Sequence, residues 1–459
     1  MTGGETAGCH RPSRARLIPP PPPAPGSAER RWEDAPGAPV SDEPPRASAT
    51  GQAPRSKGGL TFVGIDWAKD SHDVCAVDPG GKICGRATVA HSQGGFDELA
   101  SRLERWTRQG EVLVGIERPE GRLVDRILEA GYPIVLIPTF AMKDLRRRYA
   151  VGGAKSDPGD AYVIADVART DGHRLRRLEP LSEQTRALRS VVRARDDLVD
   201  QRVALGNQLR ACLDAYWPGA AAIFADVCSE ICLAFVERYP TPESAARLGE
   251  LRLASFLKKA GYSGRRSPAE LLGRLRTAPE GIMGVEAEAR ADAVRAMVRV
   301  MRSLNHSIKD LDRAVIAHLG EHPDAEVFTS LPRSGRINAA QMLAEWGDCR
   351  EAYPCPDAVA MLGGLCPVTH TSGKHRDVSF RWACNKRLRE ALTTFADNSR
   401  HASPWAADIY RRAIARGCDH PHAVRILARA WVRVIWRCWQ DRTPYNPVLH
   451  GAVTRLEAA

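Results

Sequence analysis

The alternation of apolar and polar positions divides the chain into four stretches. Residues 1–58 show no periodicity and are rich in Pro, Gly, Ala and Ser. They read as a disordered leader, or as an over-extended start, and are set aside from the fold. From Leu60 short apolar runs begin. Leu60–Lys69, Asp73–Asp78 and Lys82–Ala90, with a turn at Pro79–Gly81, predict a meander of three strands. Phe96, Leu99, Leu103 and Trp106 then recur at helical spacing. Further strands are predicted over Glu111–Glu117 and Pro133–Pro138, and helices over Leu123–Leu128, Phe140–Tyr149 and Asp157–Arg169. Three antiparallel strands followed by two βα units describe an α/β fold, a ribonuclease-H-like sheet, over residues 59–175. In the next stretch, 176–326, Leu188, Val191, Leu198, Leu205, Leu209 and Cys212 are spaced by threes, fours and sevens. That spacing predicts a long helical arm with coiled-coil character. The last stretch, 327–459, is mainly helical. Its opening, 327–348, reads as helix, Gly turn, helix, either a helix-hairpin-helix or a plain helical hairpin.

Four acids stand out against this pattern. Asp66 lies within the apolar strand TFVGIDW, where a carboxylate costs several kcal/mol, on the order of 2–7, unless it is paired or binds a metal. Glu117 ends the strand VLVGIE, and Asp157 and Asp160 sit in AKSDPGDAYVIAD. Pro158 suits a first helical position, so Asp157 and Asp160 also fit a helix-capping arrangement with Asp157 as the cap. Strand ends and a helix start can instead converge on one end of a sheet. Four carboxylates gathered there require divalent cations, and hard oxygen donors select Mg²⁺ or Mn²⁺. Two such ions form the usual clamp for phosphodiester displacement.

Charge adds a second theme. The formal charge is +11, and residues 327–459 carry +8 of it, with 19 Lys and Arg against 11 Asp and Glu. A basic C-terminal third on a near-neutral body points to a polyanionic partner. Within it, Ser372 precedes Gly373 in a polar loop beside Lys374, His375 and Arg376. Such a Ser-Gly is ordinarily a turn; as a nucleophile toward phosphate it would need the positive charge that Lys374 and Arg376 offer. The segment NKRLREALTTFA is a basic amphipathic helix presenting Lys386, Arg387 and Arg389. Arg425, Arg429, Arg433 and Arg437 recur four apart, forming either a stripe for a nucleic-acid backbone or a solvated helix face. The 12 cysteines include no CxxC pair and read as free thiols of a reducing compartment. No apolar run is long enough to cross a membrane and no signal-peptide core is visible, so a cytoplasmic protein is expected.

Together these residues resemble the transposases of insertion sequence family 110, with its 1111 subgroup, the bridge-RNA-guided serine recombinases, which also resemble the Piv-type DNA invertases. The resemblance rests on GIDWAKD, the Glu of VGIERPEG, KSDPGDAYVIAD, the segment from Leu331 to Asp348, and LGGLCPVTHTSGKHRDVSFR followed by NKRLREAL. It implies a RuvC-like domain whose four metal-binding acids are Asp66, Glu117, Asp157 and Asp160, a coiled-coil arm, and a C-terminal transposase domain whose nucleophile is Ser372. It further implies a covalent 5′-phosphoserine, strand exchange in a dimer or tetramer, and a non-coding bridge RNA pairing with donor and target DNA. LPRSGRI departs from the family's proline- and glycine-rich hairpin. A Piv-like site-specific invertase, a hydrolytic RuvC-like nuclease, and a non-catalytic nucleic-acid-binding protein are the competing readings.

Overall fold

The computed structural model describes residues 59–108, 110–138, 141–149, 156–372, 375–448 and 450. The leader 1–58 lies outside the described residues. Strands β1 (Thr61–Trp67), β2 (Ser71–Val77) and β3 (Ile83–Ala90) form the antiparallel meander. Helix α1 (Gln93–Thr107) leads to β4 (Val112–Ile116), and α2 (Arg122–Glu129) to β5 (Ile134–Leu136). Two helices follow, α3 (Met142–Tyr149) and α4 (Asp157–Asp171), and then a short strand β6 (Arg176–Leu178). The sheet order is β3-β2-β1-β4-β5-β6, with β1, β4 and β5 mutually parallel and β6 antiparallel to β5. This mixed α/β sheet is compatible with the ribonuclease-H-like expectation.

Strand periodicity sorts the two faces. Val63 and Ile65 pack on one side with Leu99, Trp106, Leu123 and Ile127 of α1 and α2. Phe62, Leu113 and Val135 pack on the other, against Ala161, Ala165 and Ala168 of α4. Gly64 lets α4 settle directly on β1: a Cβ there would lie 2.1 Å from the Ala161 carbonyl oxygen and 2.3 Å from the Ala165 nitrogen.

Beyond the sheet, α5 (Glu183–Tyr216) is a single helix of about 50 Å. Helices α6 (Pro218–Ile223), α7 (Glu230–Arg238), α8 (Pro242–Ala245), α9 (Glu250–Lys259) and α10 (Pro268–Thr277) lead to a second long helix, α11 (Val285–Gly320). The long helices run antiparallel. Thr185 meets His322 at 2.8 Å, Arg195 meets Asp312 at 2.9 Å, and Arg202 meets Asn305 at 2.8 Å. One end of the pair shares a core with the short helices through Leu209, Tyr216, Phe235 and Leu271. The other end, with Leu188, Val192, Val315 and Leu319, belongs to the C-terminal core around Phe328, Trp346, Phe395 and Trp431.

That core is built from α12 (Ala325–Thr329), α13 (Arg336–Trp346) and α14 (Pro356–Leu362), after which the chain forms a hairpin of β7 (Val368–Ser372) and β8 (His375–Ser379). It continues with α15 (Lys386–Ser399), α16 (Pro404–Ala415) and α17 (His420–Asp441). Two elements differ from the sequence reading. The segment around Ser372 is a two-stranded hairpin rather than a loop, and β6 extends the sheet by three residues. Neither presents a strand alternation to read, because β7 buries no face and β6 is short and mostly basic. The described cysteines are free thiols, of which Cys75, Cys228, Cys232 and Cys366 are buried. Among the described residues no helix is long and apolar enough to cross a membrane.

Candidate active site

The parallel pairing of β1 with β4 places Ile65 opposite Ile116, so the next residues, Asp66 and Glu117, stand side by side at the carboxyl ends of neighbouring strands. Asp66 shares its strand face with Phe62 and Gly64, and Glu117 continues the face of Leu113 and Gly115. This is the face covered by α4, and α4 begins with Asp157. One carboxylate oxygen from each of Asp66, Asp157 and Asp160 lies within 4.8 Å of the others. Asp160 is buried, Asp66 half-buried and Asp157 exposed.

The capping explanation for Asp157 does not hold. Ser156 occupies the N-cap position without a side-chain cap bond, and Asp157 is the first helical residue. Its carboxylate is therefore available to the trio rather than spent on the helix start. Asp166, the remaining acid of the motif, has a different job: it accepts hydrogen bonds from the Tyr149 hydroxyl and from Arg169 Nε, both at 2.6 Å.

Sequence reasoning missed Arg146. From α3 it donates Nε to Asp160 Oδ1 at 2.5 Å and a terminal nitrogen to Oδ2 at 2.8 Å. The Asp160 hydrogen bond raises the Arg146 pKa, and the charges of Glu117 and Asp66 act in the same direction against the cost of burial. Glu117 thus lies within electrostatic reach of the guanidinium that grips Asp160. Three consecutive arginines, 146 to 148, gave no signal in the sequence as to which one turns inward. The donor set consists of hard oxygens only, which suits Mg²⁺ or Mn²⁺ and not a soft metal.

Ser372 ends β7, paired across the hairpin with His375, and its side chain is exposed. Among the described residues no hydrogen bond joins it to the acidic trio. Lys374 lies outside the described residues, as does the side chain of Arg376. The hairpin is anchored below its tip: Phe380 carries Arg389 at 4.4 Å and Arg425 at 4.9 Å on its ring, and Arg381 donates to the Cys366 carbonyl at 3.3 Å. Lys386 is exposed. Arg387 pairs with Asp197 of the arm at 2.7 Å. Arg389 donates to the Arg381 carbonyl at 2.5 Å and to the Cys384 sulfur.

The row of arginines on α17 divides into engaged and exposed members. Arg429 pairs with Asp357 at 3.3 Å and Arg425 lies on the Phe380 ring, while Arg433 and Arg437 are exposed, Arg437 pairing at 2.6 Å with Asp441 of its own helix. Trp431 and Trp439 are buried beneath them.

Comparison with known proteins agrees with the two halves of this architecture. Residues 63–218, which hold all four acids, match the DEDD transposases of IS110, a family described as transposase. Residues 325–411, which hold Ser372, match the transposase family IS116/IS110/IS902. The protein of the IS117 mini-circle of Streptomyces coelicolor is 31% identical over 84% of this chain and 95% of its own length. The 43.6 kDa protein of insertion element IS110 from the same species is 29% identical over 85% and 97%. The transposase for insertion sequence element IS1111A of Coxiella burnetii is 22% identical over 79% and 87%. With the acid-bearing sheet and the serine hairpin each matched in order, the chain belongs to the IS110 family of insertion-sequence transposases, enzymes that break and rejoin DNA.

Proposed function

We propose that this transposase cuts and rejoins donor and target DNA with Ser372 as nucleophile and Asp66, Glu117, Asp157 and Asp160 as a RuvC-like divalent-metal site. The observation that carries the reading is the convergence of Asp66, Asp157 and Asp160 at the sheet end beside Glu117. Bound Mg²⁺ or Mn²⁺ would supply charge stabilisation at the phosphoryl oxygens. The serine Oγ, losing its proton to a base, attacks phosphorus. The bond from phosphorus to the 3′ oxygen breaks, and that oxygen leaves as a 3′-OH after taking up a proton. The product is a 5′-phosphoserine, and attack by the 3′-OH of the partner strand reverses the step and restores the serine. No high-energy cofactor is needed, because one phosphodiester is exchanged for another.

Ser372, exposed at the end of β7, fits a composite site in which one subunit's serine meets another's acids within a dimer or tetramer. We take residues 59–175 as the RuvC-like domain, 176–326 as the arm region with its coiled-coil pair, and 327–459 as the transposase domain. Its turn, with Arg333 and Gly335 at positive φ, would serve as the helix-hairpin-helix contact with a phosphate. Lys374, Arg376, Lys386, Arg387 and Arg389 would track the nucleic-acid backbone. The basic C-terminal third then holds DNA and a bridge RNA that selects sequence by base pairing, in the cytoplasm.

The test is covalent capture. Wild type, Ser372→Ala and Asp66→Ala are incubated with donor DNA, the element's RNA and Mg²⁺, and denaturant-resistant protein–DNA adducts are measured. An adduct absent from both variants is the expected result. Cleavage without an adduct, unchanged by Ser372→Ala, would leave a hydrolytic RuvC-like nuclease instead. Inversion at a fixed site without any RNA would favour a Piv-like invertase.

A further inference from the structure

We propose that Arg146 is an exchangeable counter-ion of the acidic site: it neutralises Asp160 in the metal-free protein and must leave when a divalent cation binds. The inference rests on the metal reading above and adds a residue to it. Both oxygens of Asp160 are held by the forked guanidinium, at 2.5 and 2.8 Å. Asp160 is also the most enclosed member of the trio, its side chain only 4% exposed, whereas the Arg146 side chain is 26% exposed. The carboxylate is thus fixed by the packing of α4, and the guanidinium is the partner with a route to solvent.

Asp66 and Glu117 act on the same guanidinium at longer range. Arg146 therefore sits in the field of the cluster, as an ion ligated there would. A guanidinium and a doubly charged ion on one carboxylate repel strongly in a partly desolvated site, which favours exchange over sharing. The device has a physical purpose. Carboxylates held this close, in partial burial, repel one another, and a side chain that neutralises them keeps the site assembled until metal arrives. A positioning role, in which Arg146 merely orients Asp160 for the metal, predicts the opposite effect of its removal.

The experiment is Mn²⁺ titration followed by electron paramagnetic resonance on the full-length protein without nucleic acid, comparing wild type, Arg146→Gln and Arg146→Lys. Arg147→Gln is the control, since Arg147 is exposed and pairs with Asp144 of its own helix. Loss of a bidentate charged competitor should tighten Mn²⁺ binding by about tenfold or more in Arg146→Gln. Arg146→Lys, which keeps the charge but not the fork, should fall between that variant and wild type, and Arg147→Gln should match wild type. Thermal unfolding gives a second readout: metal-free Arg146→Gln should melt lower than wild type and gain more from Mn²⁺. If Arg146→Gln does not fold without metal, the Lys variant carries the comparison. Weaker or unchanged Mn²⁺ affinity in Arg146→Gln or Arg146→Lys, with wild type still binding, would overturn the counter-ion role and leave the metal site standing. Absence of Mn²⁺ binding in every variant would overturn the metal site itself and the exchange with it.

Discussion

Gly64→Ala unfolds the sheet domain or leaves it severely weakened, although the change adds a single methyl group. The added carbon would lie 2.1 Å from one backbone atom of α4 and 2.3 Å from another. Neither atom belongs to a side chain that can change rotamer, so the whole helix must move off β1. Overpacking ordinarily costs about 1–3 kcal/mol, and a backbone collision belongs at or above the top of that range. The effect reaches the chemistry as well, because α4 carries Asp157 and Asp160 while β1 carries Asp66. A displacement of about 1 Å is enough to lower catalysis on the order of a hundredfold. Denaturant unfolding and the yield of covalent adduct check the two parts separately. Gly94→Ala is the matched control: nothing lies within 4 Å of its added Cβ on α1. Stability there should be unchanged or gain up to about 1 kcal/mol. A Gly64→Ala protein as stable as the Gly94 variant would contradict the packing argument.

The second large effect is expected at a buried ion pair far from the acids in sequence. Arg193 of the arm grips Glu345 of α13 at 2.6 and 2.9 Å, and the Glu345 side chain is 1% exposed. The same carboxylate accepts a bond from Asn385, the N-cap of α15, at 2.8 Å, while Arg193 also reaches Glu120 at 2.5 Å, three residues past Glu117. One guanidinium thus ties the acid-bearing domain, the arm and the helix that follows the serine hairpin. Arg193→Ala should cost about 3–5 kcal/mol, because it leaves the buried Glu345 carboxylate without its forked partner, whereas Glu345→Ala should cost less, since Arg193 is 27% exposed and keeps Glu120. Replacing both with apolar residues should cost less than Arg193→Ala alone, which a double-mutant cycle measures.

A pH signature accompanies this pair. Burial alone pushes the Glu345 carboxyl up, but the hydrogen bonds and charge of Arg193, with Asn385, outweigh it and hold the carboxyl below its ordinary value. Since the folded-state pKa is the lower one, the stabilisation is complete above about pH 4.3, the ordinary Glu value, and is lost as pH falls through the depressed value. The stability difference between wild type and Glu345→Gln should therefore be constant near neutrality and shrink only in acid. A difference that shrank on going above pH 7 would count against the pair as its source.

Strand and helix positions from Leu60 to Arg169 were legible in the sequence because the information is local. A period of two fixes which face a residue occupies, so Asp66 had to share the side of Phe62, and a period near 3.6 marks the covering helices. Asp66 and Glu117 stood out for a related reason: a carboxylate inside or at the end of an apolar strand contradicts its surroundings and demands an explanation, whereas Asp157 and Asp160, at a helix start, also fitted a capping arrangement. Polar segments carried no such contradiction. The serine hairpin, which buries neither face, could not be told from a loop, and the arginines of α17 could not be sorted into those paired within the fold and those left exposed. Only the tertiary structure chose Arg146 over Arg147 and Arg148, matched Arg193 to Glu345, and made Gly64 a contact point. Each of these depends on segments separated in sequence coming within a few ångströms of each other, and no periodicity along one segment records where another will lie.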